Sequence, residues 1–240
     1  RMGGDEFCVL LRDGDTVYTD PSDSHSLIVG DTGSMKTLRF VLPLIYSCAA
    51  ADESMVIVDP KGELARKSES FLSAKGYKTV IINMRDPQRS PDTWNPMGVI
   101  ERAYKSGEEG QQKAVLQLND MLNDIFFQRV DTKDPYWNES AGQLALGICL
   151  LLLALGEKLN MKNLLKWRYE KLADGTLDKC FRNLPTDGEI YQNLAGYLGM
   201  TAENTKSCIR STFDQLVRVF KSAPALTEML NDTSFDIERI

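Results

Sequence analysis

Three short apolar runs constrain this chain most, because each is too short for a buried helix and each adjoins helix-type periodicity. Leu27-Ile28-Val29 leads into a turn and a helix opening at Lys36 and Thr37. Met55-Val56-Ile57-Val58 ends in Asp59-Pro60, and a helix runs from Gly62 and Glu63 through Leu64, Phe71 and Leu72. Thr79 to Asn83, TVIIN, follows Gly76, which ends that helix. A continuous apolar run of this length reads as a strand buried on both faces. The order strand, helix, strand, helix, strand predicts an α/β fold with a parallel sheet between helices, and ligands then bind at the carboxyl ends of strands, where Gly30 and Asp59 both fall. Ahead of these runs, Phe7 to Leu11 and Thr16 to Thr19 flank Asp13-Gly14-Asp15 in the pattern of a hairpin.

Beyond a proline-rich connection, DPQRSPDTWNP at Asp86 to Pro96, the pattern changes to helix throughout. From Gln111 to Gln128, Val115, Leu118, Met121, Leu122, Ile125 and Phe126 recur at steps of three and four, the stripe of a helix packed on one face. Asp134-Pro135 breaks it. Tyr136 to Leu155 is almost all apolar, which predicts the central helix of this second unit. Further helices are expected over Met161 to Ala173, Leu177 to Arg182, Glu189 to Leu198 and Ala202 to Lys221, the last with Thr201 as N-cap. The chain therefore divides into an α/β part and an all-helical part from about residue 100.

With 240 residues, 42% hydrophobic and 26% charged, the chain is long enough to bury one or two cores. A net charge of −6 and a pI near 5.0 exclude a general attraction to nucleic acid or to anionic membrane, so any such contact is local. Cys8, Cys48, Cys149, Cys180 and Cys208 form no C-x-x-C pair and are read as reduced thiols filling cores in a cytosolic compartment. Arg1 to Phe7 lacks the apolar centre of a signal peptide. The apolar run Leu144 to Leu155 falls short of the ~20 residues that span a bilayer, so a soluble chain with a buried helix is expected.

The first connection carries the strongest chemical signal. GDTGSMKT, from Gly30 through Asp31, Thr32, Gly33, Ser34, Met35 and Lys36 to Thr37, matches the phosphate-binding pattern G-x-x-x-x-G-K-[ST] except that Met35 takes the second glycine position. Successive amides from Gly33 to Lys36 at a helix N-terminus would face one concavity and favour an anion there. Lys36 would reach the terminal phosphates and Thr37 would ligate Mg²⁺. Glycine is usual before the lysine because that position takes positive φ, and a Cβ costs roughly 1 kcal/mol or more there.

Other residues leave alternatives open. Asp59 is either an acid that helps to hold Mg²⁺ or the turn-starting residue before Pro60. Glu63 either orients water or complements a helix dipole. His25 is the only histidine, which leaves histidine metal sites and serine-histidine triads without support. Lys158, Lys162, Lys166, Arg168, Lys171 and Lys179, with Trp167 and Tyr169 among them, would suit a single nucleic-acid strand. Glu157, Glu170, Asp174 and Asp178 interleave, which suits a solvated helix face instead.

Four stretches in order, GDTGSMKT at Gly30 to Thr37, SMVIVDPKGEL at Ser54 to Leu64, GYKTVIINMRDPQRSPDTWNPM at Gly76 to Met97 and KDPYWNESA at Lys133 to Ala141, resemble the TraG-like type IV secretion coupling proteins. These are membrane-tethered hexameric ATPases of conjugation. The resemblance implies a P-loop, RecA-like nucleotide-binding part over residues 1 to 99, an inserted all-α domain over 100 to 233, and a return to the nucleotide-binding part over 234 to 240. It implies ATP and Mg²⁺ as cofactors, with Gly30, Asp31, Thr32, Gly33, Ser34, Met35, Lys36, Thr37 and Asp59 at the nucleotide and Thr37 on the metal. Asp59 then belongs to a DPKGE motif beside the nucleotide and is not the principal metal-holding acid. Relaxase and relaxosome proteins, secretion-channel components and the transferred DNA are the implied partners. A cytoplasmic domain tethered to the inner face of the membrane is the implied location. The family's transmembrane helices and later acidic strand have no counterpart here, so the chain looks like a fragment without a complete hydrolytic site. The alternative is a non-catalytic docking module built on the all-α domain.

Overall fold

The computed structural model describes residues 8–20, 25–127 and 135–236. Phe7, Asp134 and residues 237–240, invoked above, lie outside that range. Two compact units divide at Val80 and Ile81.

In the first unit, β1 (Cys8–Asp13) and β2 (Thr16–Asp20) pair antiparallel around Gly14, which supplies the positive φ of 58° that a tight turn needs. This hairpin accounts for the strand pairing among the described residues. The expected α/β fold, a RecA-like parallel sheet, is not formed: the described residues are mostly helical, and the runs 27–29, 55–58 and 79–83 enter no ladder. Leu27, Val29, Val56 and Val58 are 84–100% exposed, where strands of a covered sheet would bury them. Apolar composition favours extension, but a strand exists only through hydrogen-bonded neighbours, and none of the described segments supplies them.

Two helices build this unit's core. A π-turn over Thr37–Val41, closed by the Leu42 amide on the Thr37 carbonyl, leads into α1 (Leu42–Ala50). Pro43 explains the widening, since it has no N–H to offer residue 39 and its ring crowds that carbonyl. α2 spans Glu63–Ala74, and Gly76 at φ 83° turns the chain away. Leu42, Ile45, Ala49 and Leu72 are buried between them, with Tyr46 and Phe71 edge-to-face at 4.8 Å.

The second unit is all helix: α3 (Gly98–Tyr104), α4 (Glu108–Phe127), α5 (Tyr136–Ala154), α6 (Met161–Lys166) running into a π-turn at Trp167–Lys171, α7 (Thr176–Arg182), α8 (Glu189–Leu198), α9 (Glu203–Leu216), α10 (Arg218–Ser222) and α11 (Pro224–Met229). α5 is the one described helix long and apolar enough to cross a membrane, yet it is mostly buried inside this unit. Ala141, Leu144, Ala145, Ile148 and Leu152 have no exposure, and α4, α8 and α9 surround them, as the all-apolar pattern predicts. Gly147 lets α8 approach closely: a Cβ there would stand 2.6 Å from the Leu194 side chain.

The first and last segments of this unit are tied together. Thr93 and Ser234 exchange backbone and hydroxyl bonds of 3.0–3.1 Å, and the Asn95 amide donates to Thr233 Oγ1 at 3.0 Å. The Asn95 side chain, 4% exposed, donates to the Leu159 carbonyl at 2.8 Å and accepts from the Met97 amide at 3.1 Å. The run TVIIN is held at its end in the same way, by side chains instead of a sheet. The Ile81 amide donates to Asp92 Oδ2 at 2.9 Å and the Asn83 amide to Ser90 Oγ at 2.9 Å. Thr201 does not cap α9; Ala202 takes that position without a side-chain bond, and Val217 ends the helix earlier than its apolar pattern suggests.

Candidate functional site

The loop between Gly30 and Thr37 folds back on itself around one lysine. Lys36 Nζ donates to the Gly30 carbonyl at 2.5 Å, to the Asp31 carbonyl at 2.9 Å and to Ser34 Oγ at 3.3 Å. A turn from the Asp31 carbonyl to the Ser34 amide, 3.2 Å, and an Asp31 Oδ1 bond from the Thr32 amide, 2.7 Å, shape the concavity. Gly33 takes φ 84° and Met35 φ 59°. A Cβ on Gly30 would meet Ser34 Oγ at 2.7 Å, so glycine permits that approach.

Met35 adopts the left-handed conformation that the glycine of the usual pattern accommodates freely. Its Cβ carries a cost of roughly 1–2 kcal/mol, and its side chain lies 55% exposed, so no burial offsets that cost. The Met35 carbonyl accepts from the Leu38 and Arg39 amides and starts the helix. The amides of Met35, Lys36 and Thr37 have no acceptor among the described residues, nor does the Thr37 hydroxyl donate to one. An ammonium group, three unpaired amides and a hydroxyl at a helix start form a donor set that suits phosphate oxygens.

Asp59 has different contacts. Its Oδ1 accepts from the Glu63 amide at 3.1 Å and its Oδ2 from the Ala65 amide at 3.0 Å, which caps α2. Burial raises its pKa, but bonds from the amides of Ala65, Glu63, Leu64 and Lys61 outweigh that, and the carboxyl sits below its ordinary range. No hydrogen bond or ion pair joins Asp59 to residues 30–37. Glu63 pairs with Lys67 at 2.5 Å, which lowers its pKa. Among the described residues no group of three or more His, Cys, Asp or Glu could hold a metal ion.

Four of the six cations in the basic stretch of the second unit are engaged in ion pairs, while Lys166 and Lys179 are exposed. Trp167 is 3% exposed and donates to Glu157 at 3.0 Å, so its ring cannot stack on a base. Arg168 is buried, ion-paired with Asp214 at 2.8 Å and donating to the Arg210 carbonyl at 3.3 Å, with its guanidinium over the rings of Tyr169 and Phe213. Burial and the Asp214 carboxylate push the Tyr169 hydroxyl up to about 12. Lys158 pairs with Asp232, Lys162 with Glu228 and Lys171 with Asp174. This pairing could not be read from the sequence, because Asp214, Glu228 and Asp232 are distant in the chain.

The profile of the family described as "Type IV secretory system Conjugative DNA transfer" matches residues 3–240. No curated protein and no solved structure matches the chain.

Proposed function

Because the chain belongs to the type IV secretory system conjugative DNA transfer family, we propose that Gly30 to Thr37 binds the phosphates of ATP with Mg²⁺, and that the helical unit docks the transferred cargo or its accessory proteins. One observation carries the first half: Lys36 Nζ gathers three oxygens at the mouth of a loop whose next amides lack acceptors. Phosphate oxygens are acceptors of the same kind with more charge, so they would draw the ammonium from the carbonyls. Gly33 and Met35, both at positive φ, curl the loop ahead of the helix, and Thr37 would contribute its hydroxyl to the cation. Mg²⁺ would bridge phosphate oxygens and neutralise their charge. Asp59 would support the site from outside by fixing the start of α2.

The docking half is supported by the second unit's own closed core and by the bonds that bring its two ends together, which let it serve as a self-contained recognition body. Titration of ATP with Mg²⁺ into the chain by calorimetry tests the first half. Lys36→Ala is expected to weaken binding at least tenfold, and Met35→Gly to strengthen it. Equal affinity of the chain and Lys36→Ala would overturn the assignment.

A further inference from the structure

We propose that Met35 is a reversible oxidation site, at which a peroxide turns the thioether into a sulfoxide that competes with phosphate for the donors of its own loop. This rests on the phosphate reading of Gly30 to Thr37 given above and names a regulation of that site. Met35 holds φ 59° with its side chain 55% exposed, so it gains little from packing and lies open to a small oxidant. The other described methionines are shielded, with one exception. Met97, Met161 and Met229 are 1–5% exposed, and Met55, Met121 and Met200 are partly buried against the two cores. The exception is Met84, 56% exposed, which lies outside the loop and serves as an internal comparison.

The step is a two-electron oxidation of sulfur. Its lone pair attacks one oxygen of hydrogen peroxide, the S–O bond forms as the O–O bond breaks, and the second oxygen takes the first one's proton and leaves as water. Methionine sulfoxide reductases reverse it with two thiols, which become a disulfide while the oxygen departs as water. A thioether is a weak acceptor, whereas the sulfoxide oxygen carries partial negative charge and accepts well. That oxygen arises on the residue whose own amide, with those of Lys36 and Thr37, lacks an acceptor among the described residues, and next in the chain to the Lys36 ammonium. A tethered acceptor competes at an effective concentration set by its short tether, so the same N–H groups become less available to phosphate.

The test uses the whole chain, hydrogen peroxide, and ATP with Mg²⁺. After treatment, catalase removes the peroxide, and dithiothreitol reverses cysteine disulfides and sulfenic acids while leaving sulfoxides in place. Tandem mass spectrometry is expected to find one added oxygen at Met35 and at Met84 before any at Met97, Met161 or Met229. Calorimetry is expected to show ATP binding weakened at least fivefold, and restored by methionine sulfoxide reductases acting on both sulfoxide epimers. Met84→Leu is expected to keep the loss, and Met35→Leu, whatever its own affinity, to show none on treatment. An untreated chain that does not bind ATP would overturn the phosphate reading and this inference with it. Undiminished binding while Met35 carries the added oxygen would overturn this inference and leave the phosphate reading standing. So would a Met35 that resists oxidation while Met84 is oxidised, or a loss that survives Met35→Leu.

Discussion

Replacing Asn95 by alanine should unfold the helical unit far more easily than any exposed substitution, and the size of the effect follows from its bonds. The side chain is 4% exposed and serves two buried backbone groups, the Leu159 carbonyl at 2.8 Å and the Met97 amide at 3.1 Å. Alanine offers neither partner, and each unsatisfied group costs about 1–3 kcal/mol, so the loss is about 2–6 kcal/mol. The three tryptophans, Trp94, Trp137 and Trp167, all lie in this unit, so their fluorescence during urea denaturation reports it alone. With a slope of about 2 kcal/mol per molar urea, the midpoint falls by roughly 1–3 M. Asn95→Asp refines the argument. It keeps the acceptor for Met97 but sets a carboxylate against the Leu159 carbonyl, so its pKa rises in the folded state. Stability of that variant is then lowest at neutral pH and improves as the pH falls and the carboxyl protonates. A midpoint for Asn95→Ala within 0.3 M of the parent, or a pH response of Asn95→Asp in the opposite sense, would refute this reasoning.

Gly147→Ala should destabilise the same unit by roughly 1–2 kcal/mol, since its Cβ meets the fully buried Leu194, and combining it with Leu194→Ala should give less than the sum in a urea double-mutant cycle. Iodoacetamide should label exposed Cys208 in the folded chain and reach Cys149 only on unfolding, because complete burial pushes that thiol up to about 12; mass spectrometry of the labelled peptides decides it. Asp59→Ala should cost about 1 kcal/mol at the start of α2, read as faster amide exchange at Glu63 and Ala65. Its carboxyl is depressed in the folded state, so the capping contribution is complete above about pH 4 and fades as pH falls through the lowered value.

What the sequence made legible follows from how local each signal is. The helices of the second unit could be read because a stripe at steps of three and four declares both a helix and its buried face, and Glu189–Leu198 matches the expectation end to end. Short α3 was not anticipated: seven residues after a proline-rich segment carry too little periodicity. The break at Val217 was also hidden, since the apolar pattern runs through it. Burial of Asn95 has no local signature, because its partners stand 64 residues away at Leu159 and 138 away at Thr233. The parallel sheet failed for the related reason that pairing is non-local. Val56 and Val58 look like buried-strand residues by composition, and they stand exposed where no ladder reaches them.

The loop is the case where local reading and three-dimensional geometry inform each other. Glycine before the lysine in the sequence pattern implies positive φ there, and Met35 takes φ 59° despite its Cβ. A chain indifferent to that turn would relax Met35 to negative φ and recover about 1 kcal/mol. Lys36 keeps the turn in place by bonding the Gly30 and Asp31 carbonyls, while the Met35 carbonyl starts the helix that Leu42 and Ile45 anchor in the core. The conformation is therefore imposed from both ends, and the substitution alters its cost without altering its form. It follows that Met35→Gly should strengthen anion binding only by as much as the free loop leaves this turn, with the dependence on Lys36 intact.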